Sequence, residues 1–157
     1  MTINLDNIGL KKVAAEYDHF FIDIWGVLHN GIKLSDEAVN TLTKLENSHK
    51  EFTLLTNAPR PNRTVKNFLK NMGLDSNKCQ KVFTSGEASL KYLSNELKDK
   101  NFFHVGSSRD FDLFQDFKKN KVSKIEKSDF ILCTGLFDNI ENLEFYRSLF
   151  KNNTKKV

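Results

Sequence analysis

Short apolar runs alternate with helix-periodic stretches along this sequence, and that alternation constrains the fold most, because strands separated by helices are normally joined in parallel. His19–Asp23 (His-Phe-Phe-Ile-Asp) reads as a buried strand, as do Phe52–Thr56, Phe102–Val105 and Asp129–Cys133, with Lys81–Thr84 a shorter fifth. Helices with recognisable ends lie between them. Ser35 is placed to cap a helix carrying Ala38, Val39, Leu42 and Leu45 on one face, and Asp36 and Glu37 suit its first turn. Pro61 fits a helix N1 position; Val65, Phe68, Leu69 and Met72 follow at helical spacing before Gly73 as terminator. Ser85 starts a helix with Leu90, Leu93 and Leu97 on its apolar side, and Asp110 one with Phe111, Phe114 and Phe117. Asp138 with Glu141 resembles a capping box for a last helix burying Ile140, Leu143 and Leu149. Right-handed crossovers between such strands give an α/β fold with a mainly parallel sheet. The charged stretch Lys98-Asp99-Lys100-Asn101 marks a soft boundary between two groups of elements.

Composition removes several functional classes. Lys and Arg number 24 against 20 Asp and Glu, a net charge of +4, and 39% of the 157 residues are hydrophobic, which excludes a disordered chain. The densest basic cluster, Lys118-Lys119-Asn120-Lys121 with Lys124 and Lys127, is mixed with acids and lacks stacking aromatics. It reads as a solvated helix face, not a nucleic-acid surface. No apolar run is long enough to cross a bilayer, so no membrane association is expected. Cys79 and Cys133 have no metal-ligand spacing and read as structural thiols of a reduced, cytoplasmic protein. No phosphate loop, dinucleotide fingerprint or nucleophile elbow is present. His104, between Phe103 and Val105, reads as a core histidine.

The informative stretch follows the first strand: Phe20-Phe21-Ile22-Asp23-Ile24-Trp25-Gly26-Val27-Leu28-His29-Asn30-Gly31. Asp23 interrupts an apolar run, where a buried carboxylate needs partners or a metal. It would stand at the carboxyl end of its strand, where parallel sheets bind ligands. It reads either as a structural carboxylate hydrogen-bonded to the next turn or as a functional one. Asn30-Gly31 signals a type I′ turn, making Val27–Leu34 a small flap. Thr56-Asn57 ends another strand directly before a helix, and these groups could either hold a phosphate at the same edge or serve the turn.

Together these segments resemble the haloacid dehalogenase (HAD) superfamily, specifically subclass IIA, the NagD-like sugar and nucleotide phosphatases. Asp23-Ile24-Trp25-Gly26-Val27-Leu28 is similar to the first motif and Leu54-Leu55-Thr56-Asn57-Ala58 to the second. Thr84-Ser85-Gly86-Glu87-Ala88, His104-Val105-Gly106 and Ile131–Leu136 also look like a branch whose first motif reads Asp-x-Trp-Gly-Val-Leu-His. The resemblance implies a Rossmann-like core, incomplete here, with the beginning of an α/β cap: residues 1–98 for the core part and 99–157 for the start of the cap. It implies a Mg²⁺-dependent phosphatase of small phosphorylated metabolites, acting through an aspartyl-phosphate on Asp23. Mg²⁺ would take oxygens from Asp23 and from the Trp25 backbone carbonyl, and Thr56 with Asn57 would hold the phosphoryl group.

This sequence departs from the family pattern twice. Trp25 stands where most phosphatases of the superfamily carry a second Asp as general acid, and an indole cannot protonate a leaving alkoxide. Acyl phosphates, with better leaving groups, would suffer least, and His29 is a candidate replacement acid. That departure keeps two alternatives open: a non-catalytic phosphate-ester-binding homologue, and a dehalogenase-like hydrolase that needs no metal. The second departure is that nothing matches the third-motif Lys or the fourth-motif acids. Asp110, Asp112, Asp116 and Asp138 read as caps or solvated faces. The expectation is therefore the N-terminal half of a longer protein, a piece that does not turn over substrate by itself.

Overall fold

The computed structural model describes Leu5, residues 9–140 and residues 142–151. Glu141, the second member of the expected capping box, lies outside the described residues. The chain divides into two compact units: one runs through Asn57 and resumes over Asn62–Phe83, and the other takes Ala58–Pro61 and the chain from Thr84 onward.

The first unit contains β1 (His19–Asp23), α1 (Asp36–Asn47), β2 (Glu51–Thr56), α2 (Asn62–Asn71) and α3 (Ser76–Gln80); β3 (Val82–Thr84) completes a sheet in the order β1-β2-β3. β1 and β2 are parallel, with Asp23 level with Leu55. The expected caps form: Ser35 Oγ accepts the Ala38 N–H at 3.2 Å, and Gly73 follows α2 with the Leu74 N–H returning to the Leu69 carbonyl. Pro61 stands just before α2 rather than inside its first turn. Leu42 and Leu45 from α1, Phe52 and Leu54 from β2, and Val65 and Leu69 from α2 are buried. Lys78 of α3, 9% exposed, pairs with Glu46 at 2.6 Å.

β1 is not the buried strand that its apolar run suggested. Its residues alternate between exposed and half-buried, and Phe21 is 72% exposed. The reason is topological: β1 is the edge of the described sheet, and the face bearing Phe21, Asp23 and Leu55 is uncovered among the described residues. Asp23 is consequently an exposed carboxylate, not a buried one.

The second unit is built on β4 (Phe102–Val105) and β5 (Phe130–Cys133), again parallel, with α4 (Ser85–Glu96) before them and α5 (Leu143–Lys151) after. Its sheet is covered on both faces. Phe102 and Phe130 pack with Leu93, Leu113 and Phe114, while Val105 and Ile131 pack with Ile125 and Tyr146. α4 is capped by Thr84 Oγ1 on the Glu87 N–H. Gly86 in its first turn is required by close approach, since a Cβ there would lie 2.3–2.5 Å from the Arg60 backbone.

Two helix expectations are corrected here. The Phe-rich segment is not one helix opened by Asp110. It forms two 3₁₀ helices, Ser108–Leu113 and Gln115–Asn120, the first capped by Ser107. Asp110 is 6% exposed and so is drawn inward instead of capping toward solvent. Asp138 caps no α-helix either: α5 starts at Leu143, where Asn142 Oδ1 accepts the Glu144 N–H at 2.9 Å. Ile140 and Leu149 pack against the cluster of Val105, Ile125 and Ile131 as their spacing suggested, but Leu143 is 61% exposed and Tyr146 is the buried residue of the helix.

Candidate functional site

Parallel register brings the two candidate motifs to one edge. β1 ends at Asp23 and β2 at Thr56, one residue beyond the register partner of Asp23. Asp23 leaves the open face of the sheet and Thr56, 8% exposed, the covered one. An open cleft of about 430 Å³ at this edge is lined by Phe21, Asp23, Leu55, Thr56 and Asn57. The cleft thus brings Asp23, Thr56 and Asn57 to one edge, and Asp23 is the one titratable residue lining it.

Beyond Asp23 the chain turns tightly. The Leu28 N–H returns to the Ile24 carbonyl and the Gly26 N–H goes to the His29 carbonyl, both at 2.9 Å. Leu28, fully buried, anchors the turn. The Trp25 carbonyl takes neither bond. The flap follows, held by a bridge between His29 and Leu34. Its tip is not the expected type I′ turn. Positive φ among the non-glycine described residues occurs at His49 alone, so Asn30 lacks the conformation that turn requires. Instead the Asn30 Oδ1 accepts the N–H groups of Ile32 and Lys33, each at 3.0 Å, in an Asx-type turn.

His29 is the flap residue that the sequence offers as a candidate replacement acid. The structure buries it at 5% exposure, and its Nδ1 accepts the Gly31 N–H at 2.9 Å. Burial lowers its pKa, so the ring is neutral and carries its proton on Nε2. It packs edge-on against Trp25 and Phe68 at 5.2 and 5.3 Å between centroids. His29 is thereby a support inside the flap. It does not line the cleft.

Of the four acids read as caps or solvated faces, Asp138 and Asp116 stay exposed, whereas Asp110 and Asp112 are drawn in against Arg60. Asp110 lies 3.9 Å from the Arg60 guanidinium and accepts the Thr134 hydroxyl at 2.9 Å. Because that hydroxyl gives its one proton to Asp110, it must accept from His104 Nε2, also at 2.9 Å. Burial pushes the His104 pKa down to about 4, with Lys121 adding to the effect and Asp110 opposing it. His104 is the core histidine its flanking residues suggested. Asp112 pairs with Arg60 at 3.7 Å. Asp138 accepts hydrogen bonds from both Ser107 and Ser108, which hold its pKa down to about 2. Asp116 remains exposed in a first helical turn. Long sequence separation hid these partners: Arg60 and Asp110 are 50 positions apart, and no spacing rule connects them.

Among the described residues no group of three or more His, Cys, Asp or Glu side chains is placed to hold a metal ion. Asp23 and the Trp25 carbonyl are hard oxygen donors of the kind hydrated Mg²⁺ accepts. No described helix is long and apolar enough to cross a membrane.

Residues 20–118 match the family described as haloacid dehalogenase-like hydrolase. No curated protein matches the chain. Among solved structures the chain is similar to a hydrolase of the haloacid dehalogenase-like family from Brucella suis 1330, at 28% identity and TM-score 0.75, over 91% of this chain and 52% of that one. It shares a fold with a 4-nitrophenylphosphatase from Thermotoga maritima, at 22% identity and TM-score 0.63, over 90% of this chain and 54% of that one. It also shares one with a glycerol phosphate phosphatase from Mycobacterium tuberculosis crystallised with magnesium, at 22% identity and TM-score 0.57, over 79% and 38%. The chain spans about half, or less, of the length of each of these relatives.

Proposed function

The chain belongs to the haloacid dehalogenase-like hydrolases, and from that premise we propose that it carries the nucleophile part of a phosphatase acting on small phosphorylated metabolites, sugar or nucleotide phosphates among them. The observation that carries this reading is the cleft in which Asp23, Thr56 and Asn57 converge at the carboxyl edge of a parallel sheet. An exposed Asp23 is free to approach phosphorus in line, while the Thr56 hydroxyl and Asn57 amide supply polar contacts to the phosphoryl oxygens. Attack forms a bond from an Asp23 oxygen to phosphorus and expels the leaving oxygen with its electron pair. Water then cleaves the aspartyl-phosphate, releasing phosphate and restoring the carboxylate. Mg²⁺, held by Asp23 and the Trp25 carbonyl, would neutralise charge on the transferring group. On this reading residues 1–98 belong to the catalytic core and residues 99–157 begin a cap. A reduced, cytoplasmic setting accords with the two free thiols.

The test is phosphate release by the full natural chain from a panel of sugar and nucleotide phosphates, with and without Mg²⁺. Asp23→Asn should lower turnover by at least about 10³-fold. Turnover that survives in Asp23→Asn overturns the assignment, and activity indifferent to a chelator points to the metal-free, dehalogenase-like alternative. The exclusively binding alternative has one observation in its favour, the lack of a second titratable side chain in the cleft. It requires Asp23→Asn to keep most of the affinity for a phosphate ester that the parent binds without turning over.

A further inference from the structure

Both prolines of the sequence flank one residue, in the segment Ala58-Pro59-Arg60-Pro61 that leads from Asn57 into α2. Each ring fixes its own φ and biases the residue before it toward extended backbone, so this segment is stiff by composition. It is also fastened. The Ala58 carbonyl accepts the Ser85 hydroxyl and the Gly86 N–H, both at 3.1 Å, and the Arg60 carbonyl accepts the Thr84 hydroxyl at 2.5 Å. Thr84 is fully buried and caps α4 with the same oxygen, and Gly86 lies so close to the Arg60 backbone that no side chain fits between them. The Arg60 guanidinium continues the clamp: it donates to the Arg109 carbonyl at 3.1 Å and faces Asp110 and Asp112 at 3.9 and 3.7 Å. One oxygen of Asp112 is buried with no hydrogen-bond partner, so that carboxylate is held in by the guanidinium and not by a hydrogen-bond network of its own. A turn into a helix requires little of this. What precedes the clamped segment by one peptide bond is Asn57, a lining residue of the cleft.

We propose that Arg60 is a positioning residue for Asn57, holding the segment that fixes Asn57 for a phosphoryl group. The inference rests on the phosphatase reading above and adds to it the device that orients one of its phosphate-binding residues. Arg60 itself touches no reacting atom. Its side chain sets its backbone, the two prolines leave the backbone little freedom to absorb a change, and the fixed Ala58 carbonyl sets the plane of the peptide that begins at Asn57. Such control matters because a misplacement of about 1 Å can cost about 10²-fold in an enzyme reaction. Contacts made equally to substrate and to the transition state are lost from KM and leave kcat in place, which separates loss of positioning from loss of folded enzyme.

The experiment measures the Kd of inorganic phosphate by calorimetry, and the kcat and KM of a sugar phosphate, on the full natural chain. Arg60→Ala should raise Kd and KM about tenfold with kcat changed less than about threefold, whereas a merely structural arginine would lower apparent kcat at unchanged KM. Arg60→Lys, which keeps a cation beside Asp110 and Asp112, should hold both constants within about threefold of the parent. Where Arg60→Ala does not fold, Ser85→Ala carries the comparison: it removes one tie to Ala58 from an exposed position and should raise Kd about threefold. In a double-mutant cycle, adding Arg60→Ala to Asn57→Ala should weaken phosphate binding by no more than about twofold, because the residue acted upon is already gone. Unmoved Kd and KM, or effects that multiply fully in the cycle, overturn the positioning and leave the phosphatase standing. A parent chain that binds phosphate without hydrolysing any ester removes the phosphatase reading, and the Kd cycle still decides for or against Arg60. A parent that does neither overturns both.

Discussion

Both parallel sheets bring polar residues to the carboxyl ends of their strands, yet the two ends are finished in opposite ways. After β1 and β2 the polar groups line an open cleft, and Asp23 is left exposed. After β4 and β5 they are turned on one another: His104 to Thr134, Thr134 to Asp110, Asp110 and Asp112 to Arg60, Ser107 and Ser108 to Asp138. The coverage of the sheets differs in parallel. β4 and β5 have a hydrophobic cluster on each face, whereas β1 and β2 leave Phe21 and Leu55 open. A carboxylate at a strand end is thus available for chemistry only where the fold leaves it exposed, as it leaves Asp23. The position alone is shared by a catalytic candidate and by a structural network.

Asp110 gives the largest contrast. It is 6% exposed, serves a hydroxyl and faces a guanidinium, so Asp110→Ala leaves the Thr134 hydroxyl without its acceptor and removes one of the two carboxylates on Arg60. Removing one partner of a buried polar network costs about 2–4 kcal/mol. Urea unfolding should show a midpoint falling accordingly at unchanged slope. A loss under about 0.5 kcal/mol, the range of an ordinary surface substitution, would mean that the network is not what separates the two sheet ends.

His104 sets a pH window of somewhat smaller effect. Its folded pKa, about 4, lies below the ordinary value of 6.5, so the unfolded chain binds the proton more readily. The neutral ring contributes stability that is fully present above pH 6.5 and lost as pH falls toward 4. The loss comes to roughly 2–3 kcal/mol when complete, at 1.36 kcal/mol per pKa unit and allowing for partial screening. His104→Gln should flatten that stretch of the stability curve. The Asp138 carboxylate, held at about 2 by Ser107 and Ser108, acts in the same direction lower down, its contribution fading as pH falls from 3.8 through 2.

Much of this architecture was legible in the sequence, for physical reasons that particular residues display. His19–Asp23 and Phe102–Val105 were bounded correctly because a strand's apolar run ends where the chain must change chemistry, at Asp23 and at Gly106. The caps at Ser35 and Gly73 were legible because their hydrogen bonds are local, three to five residues long. What failed was non-local. The exposure of β1 depends on which strands flank it, which no local pattern states. The inward turn of Asp110 depends on Arg60, 50 residues earlier. The Asn30 turn is the local exception: a side-chain acceptor there outcompetes the backbone conformation that Asn-Gly usually takes. Asp23, Thr56 and Asn57 were singled out as a set from two strand ends in sequence order, and parallel register then sufficed to bring them to one cleft.

The smallest expected effect is the most discriminating. Asp23 is exposed and lies at the end of an edge strand. Asp23→Asn should therefore change the stability of the folded chain by no more than about 0.5 kcal/mol, the range of surface substitutions away from special features. Asp110→Asn, by contrast, removes the charge facing Arg60 and should cost measurably more even though the amide oxygen can still accept from Thr134. Thermal melts of the two variants under one condition make the comparison directly. A residue that contributes little to folding and much to turnover is a carboxylate held for a ligand. If Asp23→Asn lowered stability as much as Asp110→Asn, Asp23 would be a structural partner of the turn that follows it, and the cleft would lose its nucleophile.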